Sequence, residues 1–84
     1  MPEISRFYGI VIKMFFKPHE HESCHIHAMY GEYVGIFDLN TMKMTEGDLP
    51  SKAQELIKEW LGLHQQELLK MWNEQTIFKL APLM

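Results

Sequence analysis

The stretch Cys24-His25-Ile26-His27-Ala28-Met29-Tyr30-Gly31-Glu32-Tyr33-Val34-Gly35-Ile36-Phe37-Asp38-Leu39 decides how this chain reads. Gly31-Glu32 stands between two apolar runs, which suits a two-residue type II′ turn with glycine at positive φ. Such a turn fixes the register. Tyr30 faces Tyr33, Met29 faces Val34, Ala28 faces Gly35, His27 faces Ile36, Ile26 faces Phe37 and His25 faces Asp38. Side chains alternate along each strand. One face therefore carries His25, His27, Met29, Val34, Ile36 and Asp38. The other carries Ile26, Ala28, Tyr30, Tyr33, Gly35 and Phe37, an apolar set that asks for a covering layer.

Upstream, Phe7 to Lys17 is rich in β-branched and aromatic residues. It predicts one long strand over Ser5–Lys17, with Gly9 as a bulge or close-approach point. Pro18 ends it, and His19 to Ser23 forms a polar loop. Downstream, Asn40-Thr41 turns the chain into a short strand around Met42–Thr45. Two helix starts then compete: Asp48 as a cap with Pro50 in the first turn, or Ser51 with Gln54 as a capping box. Ala53, Ile57, Trp60, Leu61, His64, Leu68, Met71 and Trp72 recur at three- and four-residue steps, which is one helical stripe. Its phase survives Gly62, so the pattern favours one helix, with a kink allowed there, over two. A helix of about 23 residues is about 35 Å long. Thr76–Leu80 reads as a short final strand. The expected fold is α+β: an antiparallel sheet of about four to five strands packed on a long C-terminal helix, with residues 1–84 as a single domain. Trp60, Trp72, Leu61 and Leu68 are the helix's main contribution to the core, and Met14, Met29, Met42 and Met44 sit in strand patterns that place them in the core.

The bulk numbers exclude several classes. The chain has 84 residues, 11 acidic and 8 basic side chains and a formal charge of −3. At this length a second domain would leave each half too small to bury a core. The mild acidity gives no footprint for non-specific nucleic-acid binding. An acidic helix gives a recognition element little with which to read DNA, so specific DNA binding is disfavoured. The single cysteine, Cys24, makes no intramolecular disulfide and points to a reducing cytoplasm. No segment is apolar for the ~18 residues a membrane span needs. The N-terminus carries Glu3 where a signal peptide would be basic. Five histidines can carry the formal charge from −3 to +2, so protonation near neutrality can change its sign.

Four of those histidines, His19, His21, His25 and His27, fall within nine positions, with Glu20, Glu22 and Cys24 interleaved. His25-Ile26-His27 is the informative part. On a strand both imidazoles share one face, about 7 Å apart at their bases. That spacing lets them chelate a divalent transition metal, with His19, His21 or Cys24 swinging in as a third ligand. Asp38, opposite His25, is placed to orient a ring by accepting its second N–H. The same groups suit general acid–base work, with His64 joining if the helix packs on that face, and Arg6 or Lys13 near a phosphate. Against these stands the plain reading: hydrogen-bonded structural histidines, and a boundary His64 beside the core. Two look-alikes fail. The His-x-His followed by Glu32 has the spacing of the first cupin metal motif, but the chain is too short for that barrel and has no second motif. Histidine-triad nucleotide hydrolases need a third alternating histidine where Met29 stands.

One further pattern spans nearly the whole chain. Met-Pro-Glu-Ile-Ser-Arg-Phe-Tyr-Gly-Ile-Val-Ile-Lys-Met-Phe opens it, and His25-Ile26-His27-Ala28-Met29-Tyr30-Gly31-Glu32 follows. Then come Gly47-Asp48-Leu49-Pro50, Glu59-Trp60, His64 and Trp72-Asn73. This combination resembles a family of short bacterial proteins labelled as a domain of unknown function, number forty-one sixty. The resemblance implies a stand-alone cytoplasmic protein, encoded beside another small protein in an arrangement like a toxin–antitoxin pair. That family's motif reads Pro-His-Phe-His-Ala. Here Cys24 replaces the proline and Ile26 the phenylalanine, while His25 and His27 match.

Three functions follow as expectations. The first is one component of a two-protein, toxin–antitoxin-like module acting through an exposed histidine-bearing sheet face, with a small protein partner and RNA as a candidate substrate. The second is a metal-binding protein or metal-dependent enzyme built on His25 and His27. The third is a non-catalytic interaction domain with structural histidines.

Overall fold

A computed structural model of the chain describes residues 3–14 and 24–83. Five strands, β1 (Glu3–Phe7), β2 (Ile10–Lys13), β3 (His25–Tyr30), β4 (Tyr33–Asp38) and β5 (Met44–Gly47), precede one helix, α1 (Ser51–Glu74). The strands form one antiparallel sheet in chain order, β1-β2-β3-β4-β5, so every neighbour in the sheet is also a neighbour in sequence. Together sheet and helix make the expected α+β arrangement.

The β3–β4 hairpin forms in the predicted register, pair for pair from His25↔Asp38 to Tyr30↔Tyr33. Gly31 sits at φ 61°, the backbone that a type II′ turn demands of its first central residue. The predicted inner face is inside: Ile26, Ala28 and Phe37 are fully buried. They meet Ile10 and Ile12 from β2, Met14 just after it, and Ile57, Trp60, Leu61, Leu68 and Met71 from α1 in one core cluster. Trp60 is the largest fully buried side chain and stacks on Phe7 at 5.7 Å between ring centroids. Met14 joins the core and Met42 and Met44 pack against it, whereas Met29 lies on the histidine face, in the row between Val11 and Val34.

Several local expectations are corrected. The long strand expected from Ser5 is two strands joined by Tyr8-Gly9, both at positive φ (49° and 80°). That is the backbone of a type I′ hairpin, normally written Asn-Gly, and a tyrosine in the first position hides it. Residues 15–17, the expected end of that strand, and the loop bearing His19 and His21 lie outside the described residues. The strand after β4 runs Met44–Gly47 rather than starting at Met42, because Met42 takes positive φ (62°) to close the preceding turn. At Gly47 a Cβ would sit 2.4 Å from the Val34 carbonyl oxygen and 2.5 Å from the Gly35 Cα, so the β4–β5 approach admits no side chain.

Neither proposed helix cap forms. Pro50 is the N-cap residue and offers no side-chain bond. Gln54 instead donates to the Leu49 carbonyl at 2.7 Å, outside the capping-box pattern. The helix runs unbroken through Gly62 for 24 residues. It ends with Gln75 in the left-handed region, the Gln75 N–H donating to Trp72 O and the Thr76 N–H to Met71 O. This is the paired bonding of a Schellman stop, with glutamine where glycine is usual. Thr76–Leu80 is not a strand. The tail crosses the molecule with a single backbone bond, Leu80 N–H to Ile4 O at 3.0 Å, and buries Leu80 and Leu83. The indole N–H of Trp60 donates to Ala81 O at 2.9 Å, fastening the tail to the centre of the core.

Candidate functional site

His25 and His27 lie one residue apart on β3, the strand at the middle of the sheet, and point away from the Ile26–Ala28 face. Their ring centroids are 5.3 Å apart. The Trp72 ring closes the other side of His25 at 5.1 Å. This contact brings the end of α1 to the end of the sheet where β3 begins. His25 is consequently buried, with 8% of its surface exposed, and His27 is half-buried. The exposed histidine face expected from alternation is thus a partly covered one.

The register adds a cation. His27 pairs with Lys13 on β2 and Ile36 on β4, and Lys13 pairs in turn with Glu3 on β1. Residues directly opposite share a face. One row across the sheet therefore places Lys13 beside the half-buried His27 and also opposite Glu3, whose carboxyl its charge helps to lower. Arg6, the other cation weighed for a phosphate, is spoken for: its guanidinium donates to Glu3 at 2.8 Å and holds that carboxyl below the usual range.

The remaining sequence candidates separate. Asp38 is opposite His25 in register, but its Oδ1 accepts the N–H groups of Asn40 (2.7 Å) and Thr41 (3.1 Å). That oxygen closes the β4–β5 turn. It is an Asx turn, and the Asp-Leu-Asn-Thr run was its signal. His64 does not join the strand pair. Its Nδ1 meets Glu67 Oε1 at 2.8 Å and its ring lies 5.0 Å from Trp60, both on its own helix. His19 and His21 lie outside the described residues. Among the described residues no group of three or more histidine, cysteine, aspartate or glutamate side chains is placed to hold a metal ion. Burial pushes the Cys24 thiol above its ordinary pKa, with the charge of Asp38 adding to the effect. Among the described residues no helix is long and apolar enough to cross a membrane.

Sequence reasoning placed Trp72 on the helix stripe but not against His25. That contact joins residues 47 positions apart, which no local motif carries.

The family model described as a domain of unknown function, DUF4160, matches residues 9–73. The chain belongs to the DUF4160 family. The matched span contains β2 through nearly all of α1, and with them His25, His27, His64 and Trp72. The β1 strand and the tail that bonds to it lie outside that span. No curated protein matches this DUF4160 chain, and no solved structure does.

Proposed function

We propose that this DUF4160 protein is one component of a two-protein, toxin–antitoxin-like module, and that it acts on RNA through the histidine-bearing face of its sheet. The observation that carries the reading is the row in which His27 and Lys13 stand side by side, with His25 in ring contact behind them. An imidazole and an ammonium are what phosphodiester cleavage asks for: one moves a proton, the other meets the phosphate charge. His27 takes the proton of a ribose 2′-hydroxyl as its oxygen bonds to phosphorus. The bond from phosphorus to the 5′-oxygen breaks, and that oxygen takes a proton from water. His25, buried between His27 and Trp72, is a positioning residue.

Induced expression of the chain without a partner tests this. Growth arrest by wild type, relieved by His27→Ala at equal protein level, is the expected result. Growth unaffected by wild type contradicts the toxic role.

A second reading has its own support in the 5.3 Å ring spacing. Two imidazoles at that separation are able to share a divalent transition metal. Elemental analysis of untagged protein decides it: about one equivalent, lost in the double alanine variant of His25 and His27, supports the site. Metal far below one equivalent with no uptake on titration removes it.

A further inference from the structure

At the end of the sheet opposite His25 lies a small cleft between the β1–β2 turn and the start of α1. Its volume is about 200 Å³, and its walls are mostly apolar: Tyr8, Ile10, Tyr30, Ala53 and Leu56, with Lys52 at the rim. Two of these residues break local rules. Tyr8 takes positive φ, which a bulky side chain adopts only at a cost, in a turn position that asparagine or glycine would fill without strain. Lys52 sits in the first helical turn, where the macrodipole favours acids, and that turn holds no acidic residue. Nor does Lys52 form an ion pair among the described residues. Both side chains work against the local fold and both line the same cleft. Unrepaid departures of this kind mark binding positions.

Two of the chain's three tyrosines, Tyr8 and Tyr30, line it, and Tyr33 pairs with Tyr30 across the β3–β4 turn. Tyr8 is 58% exposed, and Tyr30 and Tyr33 are each 38% exposed. Exposed tyrosines around an apolar pocket are the composition of an interface centre. The cleft is smaller than the roughly 300–1,000 Å³ typical of a small-molecule pocket. It matches one aromatic or long aliphatic side chain. The unpaired ammonium and the acid-free helix start select the charge of what surrounds that side chain.

We infer that this cleft is the docking pocket for a partner polypeptide, and that it seats one large apolar side chain from an acidic segment, with Lys52 meeting a neighbouring carboxylate. The pocket lies away from the histidines and does not depend on the chemistry proposed for them. Amide NMR of the full chain tests it with three blocked tripeptides: Glu-Phe-Glu, Lys-Phe-Lys and Glu-Ala-Glu. The expected result is shifts confined to Tyr8, Tyr30, Ala53 and Leu56, with Glu-Phe-Glu binding at least about tenfold tighter than either control. Lys52→Glu should abolish that preference. It should leave melting unchanged or raise it, since an acid suits a first turn, so a lost signal cannot come from unfolding. No localised shifts at millimolar peptide, or equal binding of all three, would overturn the assignment. So would concentration-dependent shifts of the same residues without peptide, which would make a second copy the occupant.

Discussion

His25 and His27 are neighbours with different positions in the fold. His25 is buried against Trp72, so its truncation removes packing on two sides. His25→Ala should cost about 1–3 kcal/mol of stability. His27 is half-buried, and His27→Ala should cost less than about 1 kcal/mol. Urea unfolding of the two variants measures the difference; equal losses would refute the division into a positioning and a working histidine. The pair itself was legible in the sequence, because His-x-His on any strand shares a face. Asp38 misled because its position opposite His25 was correct while its oxygen served the chain two and three residues on. A side chain that can close its own turn does so before reaching across a sheet.

At the scale of elements, the β3–β4 hairpin was readable because two independent signals agreed: a glycine where the turn needs positive φ, and period-2 alternation on both sides. The β1–β2 hairpin was not readable, since Tyr8 replaces the small residue that announces such a turn. Only the chain reversal reveals it. The tail was misread for another reason. Apolar residues suggested a strand, but β1 accepts one backbone bond from it, and its leucines serve as plugs instead. The helix stripe was legible because its 3.6-residue phase runs through Gly62 without a slip. Gly62 has open space where a Cβ would stand. Gly62→Ala should therefore stabilise the protein by about 0.5–1 kcal/mol. A scanning calorimeter should register that as a rise of several degrees, given about 4–8 °C per kcal/mol for a domain of this size. An unchanged or lowered melting temperature would mean that the helix is interrupted there.

In the whole molecule, a sheet and one helix cannot by themselves close the core. Trp60 lies at its centre, stacked on Phe7, and its indole N–H donates to the tail at Ala81 O. Leu80 and Leu83 cover the same region. A chain ending at Gln75 should lose at least about 3 kcal/mol with the burial that those two leucines contribute. Urea titration of the truncated chain checks this, and undiminished stability would show that the tail merely lies on the surface. The long helix gives the fold two ends of different character. One end carries the tyrosines and Lys52, and the other carries His25 beneath Trp72. With chemistry at one end and a partner at the other, His27 is the residue on which the proposed activity turns. The most direct test is cleavage of end-labelled RNA by purified protein in chelator-treated buffer, comparing wild type with His27→Ala. Cleavage by wild type leaving 2′,3′-cyclic phosphate ends is expected, with a loss of at least about a hundredfold in the variant. No cleavage by wild type, or equal cleavage by His27→Ala, would contradict it.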